Sequence, residues 1–228
     1  MHKASKIMDK WHFSKINKCN ALVVLTDADK RDWSRFIKTN IFVIPNILTT
    51  YPDNITDYSK RSKRILCVGR LDKQKGFDLM IKAWARIADK HKEWKVDIFG
   101  DGELKNTLNE LIKNHRLKDR ITIHPSTSHI YDEYMDSSIF AFSSRYEGFG
   151  LVLIEAMSCG IPCVSFDCPH GPSEIITHGK NGLLVPNGNI IEFANSLDWM
   201  MNNYEQRRSM SINARISSQK YHRDNIMP

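Results

Sequence analysis

Apolar residues fall along this chain in short unbroken runs, separated by longer stretches in which they recur every three or four positions. The runs Ala21–Thr26, Ile41–Ile44, Ile65–Gly69, Lys95–Phe99, Ile121–His124, Ile139–Ser143, Ile161–Phe166 and Gly182–Val185 predict strands. Their apolar character is continuous rather than alternating, as expected of strands covered on both faces. Between them the period is helical. Phe77–His91 sets Leu79, Met80, Ala83, Trp84 and Ile87 on one stripe, and Glu103–His115 does the same with Leu104, Leu108, Leu111 and Ile112. A further helix opens near Phe149 and runs to Met157, and Ile190–Met201 and Tyr204–Lys220 close the chain. Strands alternating with helices imply an α/β fold with a doubly wound parallel sheet.

The pattern breaks after Pro45-Asn46, where Thr49 to Lys63 is polar, lacks a helical period and contains Pro52. Residues 1–45 hold a helix, a strand, another helix and a short strand, too few elements to close a sheet. They read as the tail of a first domain, 46–63 as a linker, 64–210 as the Rossmann-like domain and 211–228 as a short closing helix.

Composition narrows the class. At 228 residues, 41% hydrophobic and 26% charged, the chain has the make-up of a soluble globular protein, and no apolar run is long enough to span a bilayer. The first residues show lysines and no apolar signal core, so the expected location is the cytoplasm or the cytoplasmic face of a membrane. Of the net charge of +7, most sits in residues 1–46, which carry nine Lys or Arg against four Asp or Glu. That stretch lacks a reading motif or aromatic platform, which argues against nucleic acid and leaves an anionic membrane surface as a peripheral partner. The five cysteines form no C-x-x-C pair, and Cys159, Cys163 and Cys168 read as buried thiols rather than a zinc site.

The candidate chemistry lies in glycine bends that follow strands: Gly69-Arg70, Gly100-Asp101-Gly102 and Gly148-Phe149-Gly150. The carboxyl ends of parallel strands are where open α/β sheets bind ligands, so three such bends would line one crevice. None fits the dinucleotide or P-loop glycine patterns. Arg70 and Lys75 bracket the first bend and could neutralise a diphosphate without a metal ion, Arg70 being read as a buried arginine. Glu147 and Glu155 stand eight residues apart around the third bend. If helical from Phe149, the segment would separate them by on the order of 12 Å, about the length of a nucleoside diphosphate sugar.

The order G-R-x4-K-G, F-G-D-G-E-L, S-R-Y-E-G-F-G-L-V-L-I-E-A-M, G-P-S-E-I-I and N-G-L-L-V-P resembles the retaining glycosyltransferases of GT-B architecture, across roughly residues 15 to 215. The resemblance implies that the chain is the donor-binding C-terminal half of such an enzyme, with residues 1–45 the remnant of the acceptor-side domain. It implies Arg70 and Lys75 on the donor diphosphate and Glu147 near the donor sugar, these three forming the catalytic set. It places Glu155 on the ribose and Gly69, Gly148, Phe149, Gly150 and Leu151 around sugar and phosphates. Ile123-His124-Pro125 falls where the base is met, with Pro125 in a position usually held by glycine. No metal or other cofactor is expected, only a UDP-sugar or GDP-sugar substrate. The Gly171-Pro172-Ser173-Glu174 turn resembles transferases that use UDP-linked hexoses or N-acetylhexosamines. Expected partners are the nucleotide sugar and the missing N-terminal domain or a partner chain, and the fragment alone is expected to bind donor without efficient transfer. The alternative is a non-catalytic nucleotide-sugar module or one half of a split enzyme.

Overall fold

All eight predicted strands form, in two separate parallel sheets. The computed structural model describes residues 13–226; the lysine-bearing helix expected at the amino end lies in part outside them. The chain divides at Asn46/Ile47. In the smaller unit β1 (Ala21–Val24) pairs with β2 (Asn40–Val43), joined by α1 (Asp27–Trp33). Thr26 caps α1, its hydroxyl oxygen accepting from the Asp29 N–H at 3.0 Å.

The larger unit is a six-stranded parallel sheet in the order β5-β4-β3-β6-β7-β8. Its strands are β3 (Ser62–Val68), β4 (Lys95–Phe99), β5 (Ile121–His124), β6 (Ser137–Phe142), β7 (Cys163–Asp167) and β8 (Gly182–Pro186). The helices are α2 (Phe77–Ala85), α3 (Lys105–Asn114), α4 (Ile130–Asp136), α5 (Leu151–Ser158), α6 (Pro172–Ile175), α7 (Ile190–Asn202), α8 (Tyr204–Ser218) and α9 (Arg223–Ile226). Side chains alternate across the sheet. Ile65, Cys67, Val96, Ile98, Ile139, Ala141, Val164 and Phe166 join one core with Phe77, Met80, Trp84, Leu108, Ile112, Phe193 and Leu197 from α2, α3 and α7. On the other face Leu66 and Phe140 are fully buried, and Tyr134 of α4 packs on Phe140.

Two elements depart from the periodicity. The helix expected over Phe77–His91 stops at Ala85, and Ala88–Lys90 forms a 3-10 turn. The cause is tertiary: the Arg120 guanidinium donates to the carbonyls of Ala88, His91 and Trp94, holding the chain in a tighter turn. The stretch read as a linker with little core is tied down. Tyr58 and Arg61 are buried; the Tyr58 hydroxyl donates to the Ser138 carbonyl, and Arg61 donates to the carbonyls of Ser137 and Cys159. The expectation of buried thiols holds for Cys159, Cys163 and Cys168, and Cys67 in β3 is buried as well. Burial pushes Cys159 up to about 11 and Cys168 up to about 12, so both are protonated at neutral pH and poor metal ligands or nucleophiles.

Candidate functional site

The bends after β3, β4 and β6 come from adjacent strands and are joined main chain to main chain. Leu71 N–H donates to the Asp101 carbonyl at 2.9 Å, and Arg145 N–H donates to the Gln74 carbonyl at 2.8 Å. The loop after β7 joins them, its Pro169 carbonyl accepting from Glu147 N–H at 3.3 Å. Gly171 sits in that loop with φ 111°, against the Phe149 backbone; a Cβ there would collide with the Phe149 carbonyl oxygen.

Within this frame Lys75 and Glu147 meet, Nζ to Oε1 at 2.7 Å, with side chains only 16% and 7% exposed. Gly69 makes the approach feasible: the Lys75 stem lies over its Cα, where a Cβ would stand 3.2 Å from Lys75 Cγ. The ammonium also lies 5.8 Å from the centre of the Phe142 ring. The Asp72 carboxylate accepts from Lys75 N–H at 3.1 Å and fixes the turn that aims the side chain. Around it, Arg145 donates two hydrogen bonds of 2.8 Å to Asp78, whose carboxyl this pairing holds below the usual range although burial opposes the shift.

Arg70 behaves differently from the buried arginine expected. Its side chain is 73% exposed and its guanidinium pairs within its own loop, 3.2 Å from Asp72 Oδ2 and 3.5 Å from Gln74 Oε1. The chain leaves the sheet at Gly69, so the next side chain points to solvent rather than into the layer. Gln74 in turn donates to the Tyr146 carbonyl at 3.1 Å, linking this loop to the third bend.

The third bend stays extended longer than the sequence suggests. Gly150 takes φ 96° and serves as N-cap, so α5 begins at Leu151 rather than Phe149. The axial estimate for the Glu147–Glu155 spacing therefore does not hold, since Glu147 to Gly150 is not helical. No side chain caps α5 and no acid lies in its first turn, which leaves its leading N–H groups open to an anion. Gly148 is exposed, with nothing within 4 Å of where a Cβ would be.

Glu155 lies inside α5, half-buried, its Oε2 accepting from the Tyr134 hydroxyl at 3.1 Å. His124, at the end of edge strand β5, places Nε2 2.8 Å from Asp97 Oδ1 and stacks on Phe99 with centroids 4.5 Å apart. The structure thus joins Lys75 with Glu147, leaves Arg70 on the rim, and gives Glu155 and His124 partners of their own. Tyr134, Asp78, Arg145 and Asp97 were missed; a carboxylate inside an apolar strand, as Asp97 is, was the one signal available. Among the described residues no group of three or more His, Cys, Asp or Glu is placed to hold a metal ion. Among them also no helix is long and apolar enough to cross a membrane.

Burial pushes the Glu155 carboxyl above its ordinary value, with the Tyr134 hydrogen bond opposing the shift. The folded protein then keeps a proton that the unfolded chain has released, so stability falls as pH rises from the ordinary glutamate value through the raised one. Glu155→Gln removes this loss. Thermal melts from acid to neutral pH are expected to show the ligand-free variant roughly 1–3 °C above wild type near neutrality, the gap closing at the acid end.

Residues 53–217 match the family described as Glycosyl transferases group 1. The chain is 37% identical over 207 residues to an uncharacterized glycosyltransferase of Haemophilus influenzae, covering 90% of this chain and 58% of that protein. It is 31% identical over 201 residues to the poly(ribitol-phosphate) alpha-N-acetylglucosaminyltransferase of Staphylococcus aureus, covering 88% and 40% respectively. The fold aligns with a mutant of S. aureus TarM crystallised with fondaparinux, alpha-GlcNAc-glycerol and UDP, at TM-score 0.87 and 28% identity, over 100% of this chain and 45% of that one. The chain spans about half the length of the curated relatives it matches, and the match falls on their C-terminal portion.

Proposed function

Since the chain belongs to the group 1 glycosyltransferases, we propose that it carries the donor site of a retaining transferase that moves a hexose or N-acetylhexosamine from a UDP-sugar to a polysaccharide or glycolipid acceptor. The observation that carries this reading is the Lys75–Glu147 pair, set just ahead of the uncapped start of α5. In the free protein the ammonium is neutralised by the carboxylate. A donor diphosphate entering this mouth would draw Lys75 to its oxygens and rest on the N–H groups of Gly148 to Leu151. Glu147 is then released to accept hydrogen bonds from the sugar hydroxyls, and Glu155 takes the ribose.

Breaking the sugar–phosphate bond leaves added negative charge on the departing diphosphate. Lys75, the amino end of α5 and Arg70, swung in from the rim, stabilise that charge where it develops. The exposed, loosely paired Arg70 suits a group that closes on a ligand. A UDP donor is supported by the UDP in the TarM crystal, and an N-acetylhexosamine by the N-acetylglucosaminyltransferase among the relatives. Acceptor choice is assigned to sequence that the longer relatives carry beyond the matched region.

Isothermal titration with UDP and GDP tests the reading. UDP is expected to bind in the micromolar range and GDP at least about tenfold more weakly. No heat with UDP at millimolar concentration would end the donor-site assignment, and preference for GDP would correct the nucleotide.

A further inference from the structure

The carboxyl-terminal segment reaches the third bend through one side chain, Tyr221. It is 4% exposed, and its ring stands edge-on to Phe149, centroids 5.5 Å apart at 85°. Its hydroxyl donates to the Glu174 carbonyl in α6 at 3.3 Å, and Lys220 Nζ donates to the same oxygen at 3.0 Å. Phe149 lies between Gly148 and Gly150 and touches the Gly171 backbone on another side. Tyr221 therefore contacts the third bend and the helix α6 that follows the β7 loop, while lying outside the site itself.

Behind Tyr221 the chain is paired with the segment that enters the larger unit. Leu48 N–H donates to the Tyr221 carbonyl at 2.9 Å, and Leu48 and His222 form a parallel bridge. Arg215 extends this pairing: it donates to the carbonyls of Pro52 and Asp53 and, at 2.6 Å, to that of Ser158 at the last turn of α5. The two segments are thus fastened to each other and to both ends of the helix that carries Glu155.

We propose that Tyr221 is a positioning residue for the donor bend, fixing Phe149 and with it the backbone of Glu147 to Leu151. The proposal rests on the donor-site reading for its ligand, not for its geometry. A flat ring against Phe149 sets the bend by shape, so the ring matters more than the hydroxyl.

The test combines UDP titration with hydrogen exchange on the wild-type chain, Tyr221→Phe and Tyr221→Leu. Tyr221→Phe is expected to keep UDP affinity within about twofold. Tyr221→Leu is expected to lose about tenfold and to speed exchange at Gly148–Leu151 while β3 stays protected. Unchanged affinity in folded Tyr221→Leu, or exchange that rises evenly across the sheet, overturns the proposal. If Tyr221→Leu does not fold, Tyr221→Met keeps much of the buried volume while removing the flat ring. Faster exchange confined to residues 148–151 then supports the role, and its absence overturns it. Wild-type protein that ignores UDP sinks the donor-site reading alone, leaving exchange to decide the positioning role.

Discussion

Lys75→Ala is expected to weaken UDP binding by at least about tenfold, or 1.4 kcal/mol, and to destabilise the ligand-free protein as well. Both effects come from one geometry. Glu147, 7% exposed on its side chain, loses the cation 2.7 Å away and is left as a nearly buried carboxylate without its charge partner. Removing one partner of such a pair costs about 3 kcal/mol. Calorimetry alone would not separate a damaged fold from a lost ligand contact, so Glu147→Gln is the informative companion. It leaves Lys75 without its internal competitor and is expected to bind UDP as tightly as wild type or tighter, while binding the sugar conjugate more weakly. Equal UDP affinity in wild type and a folded Lys75→Ala variant would remove Lys75 from the site.

Arg207→Ala is expected to cause a loss of stability as large, about 3 kcal/mol or roughly 6–12 °C in Tm, without touching the site. Arg207 is 5% exposed. Its Nη1 donates to the Met200 and Met201 carbonyls at the end of α7, and its Nε donates to the Tyr58 hydroxyl at 3.1 Å. Its guanidinium also lies 5.0 Å from the Trp94 ring centre and 5.4 Å from that of Tyr204. Among the described residues it has no carboxylate partner; carbonyls and aromatic faces hold the charge. Truncation orphans buried acceptors and opens a cavity between α7, α8 and the entering segment. Chemical denaturation should show the loss with UDP affinity in the remaining folded protein nearly unchanged, since Arg207 lies outside the loops that form the site. A drop below about 1 kcal/mol would mean that water replaces the guanidinium at little cost.

Strand placement was legible because burial on both faces leaves an unmistakable apolar run, as in Ile139–Phe142. Helix ends were less so. Gly150 terminates its bend by conformation, while Ala85 ends its helix because Arg120, far along the chain, captures the following carbonyls. The short α4 escaped notice: Ile130, Tyr131, Tyr134 and Met135 are spaced helically, but seven residues are too few to establish a period. In the site, spacing identified Lys75 and Glu147 as members of two motifs but could not show that they neutralise each other. Exposure of Arg70 was misjudged for a related reason: whether the residue after a strand faces core or solvent depends on the direction the chain takes as it leaves the sheet.

The stitching of the loops to one another by peptide groups, at Leu71–Asp101, Gln74–Arg145 and Glu147–Pro169, has an evolutionary corollary. A pocket whose walls are set by backbone can exchange rim side chains such as Tyr146 without shifting the neighbouring loops. On the donor-site reading, new sugar preferences can then arise by single substitutions of small energetic consequence, on an architecture that stays fixed.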